Sequence, residues 1–241
     1  MEFDSSAALE HCTRFNNDGY CVCEGAFERE SIDLIREAAV SNYEEVQARI
    51  KDYNLSFGIG IKHGFKEIVQ RHPMRFEMPY RMNEEVFDFV LKSERIREVV
   101  SRILECDDFI VANRSLVVSL PGCGDQGWHS DGPHMSATKD LPCHCLNVFI
   151  PLVDVNMKNG PTEFRPGSHY YTRNLAKSLL LAKVKKTLRP VDSPSISRGS
   201  VLMFDYRVLH RGLANASDEI RPILVFTFAK PWYKVRLPSS L

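Results

Sequence analysis

No stretch of the 241 residues approaches the roughly 18 consecutive apolar residues of a membrane span, and Met1-Glu2-Phe3-Asp4 carries neither a basic nor an apolar targeting segment. Net charge is absent as well, with 31 Lys and Arg against 31 Asp and Glu, so the chain has no overall field to gather nucleic acid or an anionic membrane. Its seven cysteines are odd in number and contain no C-x-x-C, which argues against a disulfide framework and a zinc ribbon. Reduced thiols and a cytoplasmic location are the expectation. The terminal Pro238-Ser239-Ser240-Leu241 lacks the basic middle residue of a peroxisomal signal and is only a weak pointer to that organelle. Repeats and low-complexity linkers are missing too, so residues 1–241 read as one domain. What remains is an ordinary globular composition, 44% hydrophobic and 26% charged. A chain of this size buries about 70–75% of its unfolded surface and needs no staple, so any metal would serve function.

Two periodicities divide the chain. Ile32, Ile35, Ala39, Tyr43, Val46 and Ile50 recur at helical spacing between Glu28 and Ile50. Asn83 and Ser93, each followed by acidic residues, announce two further helices. From Phe109 onward the pattern shortens to strand-length apolar runs at 109–111, 115–120, 145–150, 200–204 and 223–228, punctuated by Pro and Gly. Helices segregated from strands predict an α+β, mainly β domain: a jelly-roll barrel over 106–241, buttressed by helices in 1–105. The irregular segment from about Asp52 to Arg81 is the candidate lid, and Arg71, Arg75, Glu77, Tyr80 and Arg81 make it polar.

The densest chemical signal is Gly127-Trp128-His129-Ser130-Asp131-Gly132-Pro133-His134. On extended backbone His129 and Asp131 project to one side and can share a metal, although such a pair is common by chance. His210, where the 200–209 run ends, offers a third ligand, while its position equally suits a plain hydrogen-bonded histidine at a sheet end. Two imidazoles and a carboxylate leave about half of an octahedral sphere open, as in non-haem Fe(II) oxygenases. Arg221 stands eleven residues further on, at the mouth of an apolar strand, either as a carboxylate clamp or as an exposed hairpin charge.

Together with Phe15-Asn16-Asn17-Asp18-Gly19-Tyr20, the run Asn159-Gly160-Pro161-Thr162-Glu163-Phe164-Arg165-Pro166-Gly167-Ser168-His169, and Pro231-Trp232, these motifs resemble the phytanoyl-CoA dioxygenase-like family of Fe(II)/2-oxoglutarate-dependent oxygenases across nearly the whole chain. The resemblance implies a double-stranded β-helix fold, His129, Asp131 and His210 as iron ligands, and Arg221 on the distal carboxylate of 2-oxoglutarate. It also implies O₂ as co-substrate, ascorbate as a candidate auxiliary reductant, and oxidation of a small molecule, usually by hydroxylation, with release of succinate and CO₂. Asp131 argues against a halogenase, which leaves that position to halide. Many relatives carry Ser or Thr where Gly212 stands, which predicts a clamp one hydrogen bond poorer, and at Ser119-Leu120-Pro121, where relatives often place a lysine, no cofactor contact is expected.

Alternation along 145–150 puts Cys145, Asn147 and Phe149 on one face, where Asn147 is a candidate co-substrate contact and Phe149 a candidate wall; ordinary barrel packing explains them equally well. Arg75, Tyr80, Trp128 and His134 are candidate substrate contacts. Cys143-His144-Cys145 reads as structural, and His169 as a turn cap. Six basic residues without an acidic one between Arg173 and Arg189 read as a solvated surface before a phosphate site. Three rival functions stay open: a cupin-type metal lyase or isomerase independent of 2-oxoglutarate, which Arg221 opposes; a nucleic-acid demethylase, which calls for a broader basic surface; and a non-catalytic binding module. The sequence sets neither the substrate nor the oligomeric state.

Overall fold

The structure, a computed structural model, describes residues 5–52, 68–79, 84–186 and 189–235. Tyr80, Arg81, Asn83, most of the candidate lid and the terminal Pro238-Ser239-Ser240-Leu241 lie outside them. Among the described residues five α-helices are assigned: α1 (Ser5–Asp18), α2 (Arg29–Asp52), α3 (Glu84–Leu91), α4 (Glu94–Leu104) and α5 (Leu175–Val184). They accompany nine strands: β1 (Tyr20–Cys23), β2 (Val69–His72), β3 (Arg75–Pro79), β4 (Ile110–Ser119), β5 (Cys145–Pro151), β6 (Thr162–Phe164), β7 (Val201–Asp205), β8 (His210–Gly212) and β9 (Arg221–Ala229).

The main sheet is antiparallel in the order β1-β7-β5-β9-β4-β3-β2. A smaller layer pairs β6 with β8 and is widened by single bridges, Asp192 against Phe164 and His129 against His210. Strand alternation gives the main sheet two unlike faces. Leu146, Val148 and Ile150, with Leu224, Phe226, Phe228, Leu116 and Val118, pack beneath the helices in one apolar core. Residues of opposite parity, among them Asn147, Phe149, Ile223, Val225 and Thr227, line a cavity of about 440 Å³. One end of the space between the layers is plugged by Tyr20, Phe164, Phe204, Leu202 and Val208, with Tyr20 and Phe164 stacked at 4.3 Å.

The helices follow their sequence signals. The six apolar positions expected of α2 are all buried. Ser93 accepts a hydrogen bond from the Ile96 amide at 3.4 Å, and Ile96, Val99, Val100, Ile103 and Leu104 form the buried stripe of α4. No described helix is long and apolar enough to cross a membrane.

The expected division at residue 105 requires correction, because β1, β2 and β3 come from the supposedly helical part and supply both edges of the main sheet. The physical reason is the cavity. β3 turns Phe76 and Met78 to the apolar core but Arg75 and Glu77 to the cavity, so its inward face is charged and does not read as a sheet lining.

Candidate metal centre

His129 and His210 exchange backbone hydrogen bonds of 3.0 and 2.9 Å, which sets their rings side by side with centroids 4.4 Å apart. Two residues on, the amides of Asp131 and Gly132 both donate to the Tyr206 carbonyl at 2.9 Å and swing the carboxylate back toward the rings. Asp131 Oδ1 lies 3.8 Å from His129 Nε2 and Oδ2 lies 3.6 Å from His210 Nε2. Metal–ligand bonds of about 2.0–2.2 Å place adjacent donors about 3 Å apart, so the set closes on an ion by shifts under about 1 Å.

Both rings are oriented for this. Nδ1 of His129 lies 2.9 Å from the Gly127 carbonyl and Nδ1 of His210 lies 3.1 Å from the Val208 carbonyl, so each Nδ1–H is donated to backbone and each Nε2 lone pair faces Asp131. Burial pushes the His210 imidazole below its ordinary pKa, against the pull of Asp131, and favours the neutral, ligating form. Asn147 Nδ2 donates to Asp131 Oδ2 at 2.6 Å, and Asn147 Oδ1 accepts from Thr227 at 2.7 Å. Asn147 thus steadies the carboxylate with one end of its amide, is itself fixed by Thr227 at the other, and lines the cavity.

The cavity also holds Arg75 and Arg221, each only 2% exposed. Arg221 Nη2 donates to Ser119 Oγ at 2.7 Å, and Arg75 Nη2 donates to the Leu213 carbonyl at 3.0 Å. Arg75 Nε and Arg221 Nε and Nη1 have no partner, and among the described residues no carboxylate pairs with either guanidinium. Burial, reinforced by the neighbouring charge of Arg75, pushes Arg221 down to about 9. Two desolvated like charges with orphaned donors are costly unless an anion joins them. A compact dicarboxylate satisfies that demand, so the donor set and the cavity fit a chelating keto acid.

Gly212 explains how Arg75 reaches this place. A Cβ there would lie 2.0 Å from Arg75 Nη1 and 2.8 Å from Gln126 Oε1. The space that a side chain at position 212 would need is filled by a second guanidinium, so the cavity holds more free donors than Arg221 alone would give it. Ser119, from which no cofactor contact is expected, is the hydrogen-bond acceptor of Arg221.

The remaining candidates separate. Phe149 lines the cavity and meets Phe204 edge-on at 4.8 Å. Trp128 is 36% exposed between the guanidinium groups of Arg211 and Arg165, at 4.9 and 5.3 Å, and does not line the cavity. His134 also faces away: its Nε2 lies 2.6 Å from Thr172 Oγ1, and burial with the nearby Arg207 charge pushes it down to about 4. In the basic run, Arg173 bonds the Lys139 carbonyl and Asp140, and Arg189 bonds Asp18, while the intervening lysines are exposed. His169 bonds the Asn16 carbonyl at 3.1 Å.

Sequence reasoning overlooked the Asp205–Arg207 pair. It is buried and bidentate at 2.8 and 2.7 Å, and it braces the turn whose Tyr206 carbonyl seats Asp131. The acid and base two residues apart beside His210 were its only sequence signal.

A family model, Phytanoyl-CoA dioxygenase (PhyH), matches residues 15–223. The chain belongs to the phytanoyl-CoA dioxygenase family. Ectoine dioxygenase of Halomonas elongata is 26% identical over 59% of this chain, a match spanning only 49% of that relative. Phytanoyl-CoA dioxygenase domain-containing protein 1 of Danio rerio is 22% identical over 88% of this chain and 87% of its own length. Among solved structures, EctD from S. alaskensis with 2-oxoglutarate and 5-hydroxyectoine aligns with a TM-score of 0.70 and 19% identity over all of this chain and 89% of its own. The non-heme alpha ketoglutarate dependent epimerase SnoN aligns at 0.63 and 16% identity, covering 94% of this chain and 82% of its own. These likenesses carry the double-stranded β-helix fold of the phytanoyl-CoA dioxygenase family to this chain.

Proposed function

We propose that this chain is a non-haem Fe(II)- and 2-oxoglutarate-dependent dioxygenase that hydroxylates a small organic substrate and releases succinate and CO₂. The observation that carries the reading is the convergence of two imidazoles and a carboxylate in one cavity with two buried, unpaired guanidinium groups. When bound, the iron with 2-oxoglutarate and O₂ supplies the oxidising power that no side chain has.

His129, Asp131 and His210 hold the metal. Asn147 fixes the Asp131 carboxylate and leaves its second oxygen free to ligate. Arg221 and Arg75 grip the distal carboxylate of the keto acid, with Ser119 orienting Arg221. Phe149, Ile223 and Val225 wall the site against water. Substrate enters on the side of His129, whose side chain is 39% exposed against 6% for His210, past the Arg71–Glu77 ion pair at 2.5 Å.

The likeness to an epimerase supports a second outcome from the same machinery, since the groups that hold iron and keto acid do not choose what happens at the substrate carbon. A lyase or isomerase working without 2-oxoglutarate leaves the arginine pair without purpose. The deciding experiment is an anaerobic titration with Fe(II) and 2-oxoglutarate. A visible metal-to-keto-acid charge-transfer band that needs both components and vanishes in His210→Ala is expected, followed under O₂ by succinate release; a protein that forms no band sinks the proposal.

A further inference from the structure

A second cluster of ligating side chains lies on the opposite face of the main sheet. Cys21 and Cys23 alternate with Tyr20 and Val22 along β1, so both thiols point outward under α1 while Tyr20 belongs to the inner plug. His11, one residue before the buried Cys12 on α1, brings its ring to the same place from the rim. One donor atom from each of His11, Cys21 and Cys23 lies within 4.8 Å of the others.

We propose that His11, Cys21 and Cys23 form a second metal site, independent of the iron centre, for a thiophilic closed-shell cation, Zn(II). Residues i and i+2 of a strand stand about 6.4–6.8 Å apart at Cα, the upper edge of disulfide geometry, so the two thiols converge better on a shared ion than on each other. Two sulfurs and one imidazole match the soft donor set of zinc. Bonds of about 2.3 Å to sulfur and 2.0–2.1 Å to nitrogen separate tetrahedral donors by about 3.5–3.8 Å, within a short contraction of the observed cluster. Two thiolates neutralise a divalent ion. The Arg95 guanidinium, anchored to the Glu24 and Gly25 carbonyls at 3.0 and 2.9 Å, adds positive potential beside Cys23. Cys21 gives its hydrogen bond to Cys23, which draws the Cys23 thiol down and, with burial, holds the Cys21 thiol well up, while the bond to Cys23 raises His11, so ligation by all three would release protons as the ion binds. His11 lies half-buried at the rim, which gives the ion an entry path and a water for the fourth position. Bound there, zinc would tie α1 to β1 next to Gly19, whose carbonyl accepts from the Asp205 amide at 2.8 Å at the base of the iron-side turn.

The test uses the reduced, metal-stripped full chain titrated with Co(II) and read by thiolate-to-cobalt charge-transfer absorption, a band that His129, Asp131 and His210 cannot produce because they contain no sulfur. One sulfur-bound Co(II) per chain is expected, displaced by Zn(II), retained in Asp131→Ala and lost in Cys21→Ala and Cys23→Ala. His11→Ala, at the rim, should keep its far-UV circular dichroism and lose at least about tenfold in Co(II) affinity read by the same thiolate band, because one of three ligands is gone. Absence of the band in the wild type, its survival in Cys23→Ala, or an undiminished Co(II) affinity of the band in His11→Ala would each overturn the proposal. Because the readout is sulfur ligation, it is indifferent to whether the iron-site reading holds.

Discussion

Arg75 and Gly212 form one unit, and the pair yields predictions that neither residue suggests alone. Arg221→Ala should raise the KM for 2-oxoglutarate at least about tenfold, because a charge-assisted contact contributes about 1.5–3 kcal/mol. Arg75→Ala should do the same with kcat less affected, since in the proposed reading both residues grip a part of the keto acid remote from the reacting atoms; steady-state kinetics at varied 2-oxoglutarate checks both. Gly212→Ser restores the side chain common in relatives, yet it should weaken 2-oxoglutarate binding by driving its Cβ into Arg75 Nη1. Combined with Arg75→Ala, the same serine should recover part of the loss, a non-additivity that a double-mutant cycle measures. Gly212 and Ser119 were legible as departures from the family pattern, but their consequence was not, because the compensating Arg75 lies more than a hundred residues before Gly212 in sequence and only the pairing of β3 with β4 brings it beside Ser119. Asn147 was legible as a cavity residue. Its partner was not, since a two-faced amide reads alike whether it meets a carboxylate on a ligand or on Asp131.

At the level of elements, the turn between β7 and β8 does more for the candidate metal centre than its length suggests. Burial pushes the Asp205 carboxyl up, but the hydrogen bonds and charge of Arg207 outweigh it and hold the group below its usual value. A depressed carboxyl stabilises the fold above the unfolded pKa of about 3.9, and that contribution is lost as pH falls through the lower folded value. Asp205→Ala strands a buried guanidinium and should cost about 3–5 kcal/mol, read as a lowered urea midpoint. The wild type should lose its neutral-pH advantage over the variant on acidification. Strand β5 and helix α4 were readable because each presents one apolar face to one core. The edge strand β1 and the interior strand β3 were not: β1 has four residues, and β3 displays Arg75 and Glu77 on the face that in an ordinary sheet would be apolar. Where a sheet face becomes a binding site, the hydrophobic alternation on which strand reading depends is erased by the site itself.

For the molecule as a whole, the two faces of the main sheet divide labour: helices cover the apolar face, and the smaller layer encloses the polar one. Truncating Phe226 to Ala on the helix side should therefore cost about 3–5 kcal/mol of stability with little change in KM for 2-oxoglutarate, a separation that calorimetry and kinetics read independently. The cavity side should show the reverse coupling. In metal-free protein, 2-oxoglutarate should raise Tm by linkage, about 2.7 kcal/mol at a hundredfold excess over Kd, and the gain should shrink in Arg221→Ala. The two arginines, set on either side of β4 in the cavity wall, thus have a bearing outside catalysis. A protein that houses two uncompensated cations until a dicarboxylate arrives opens more often when that metabolite is scarce, so its half-life against cellular proteases should track the supply of its own co-substrate.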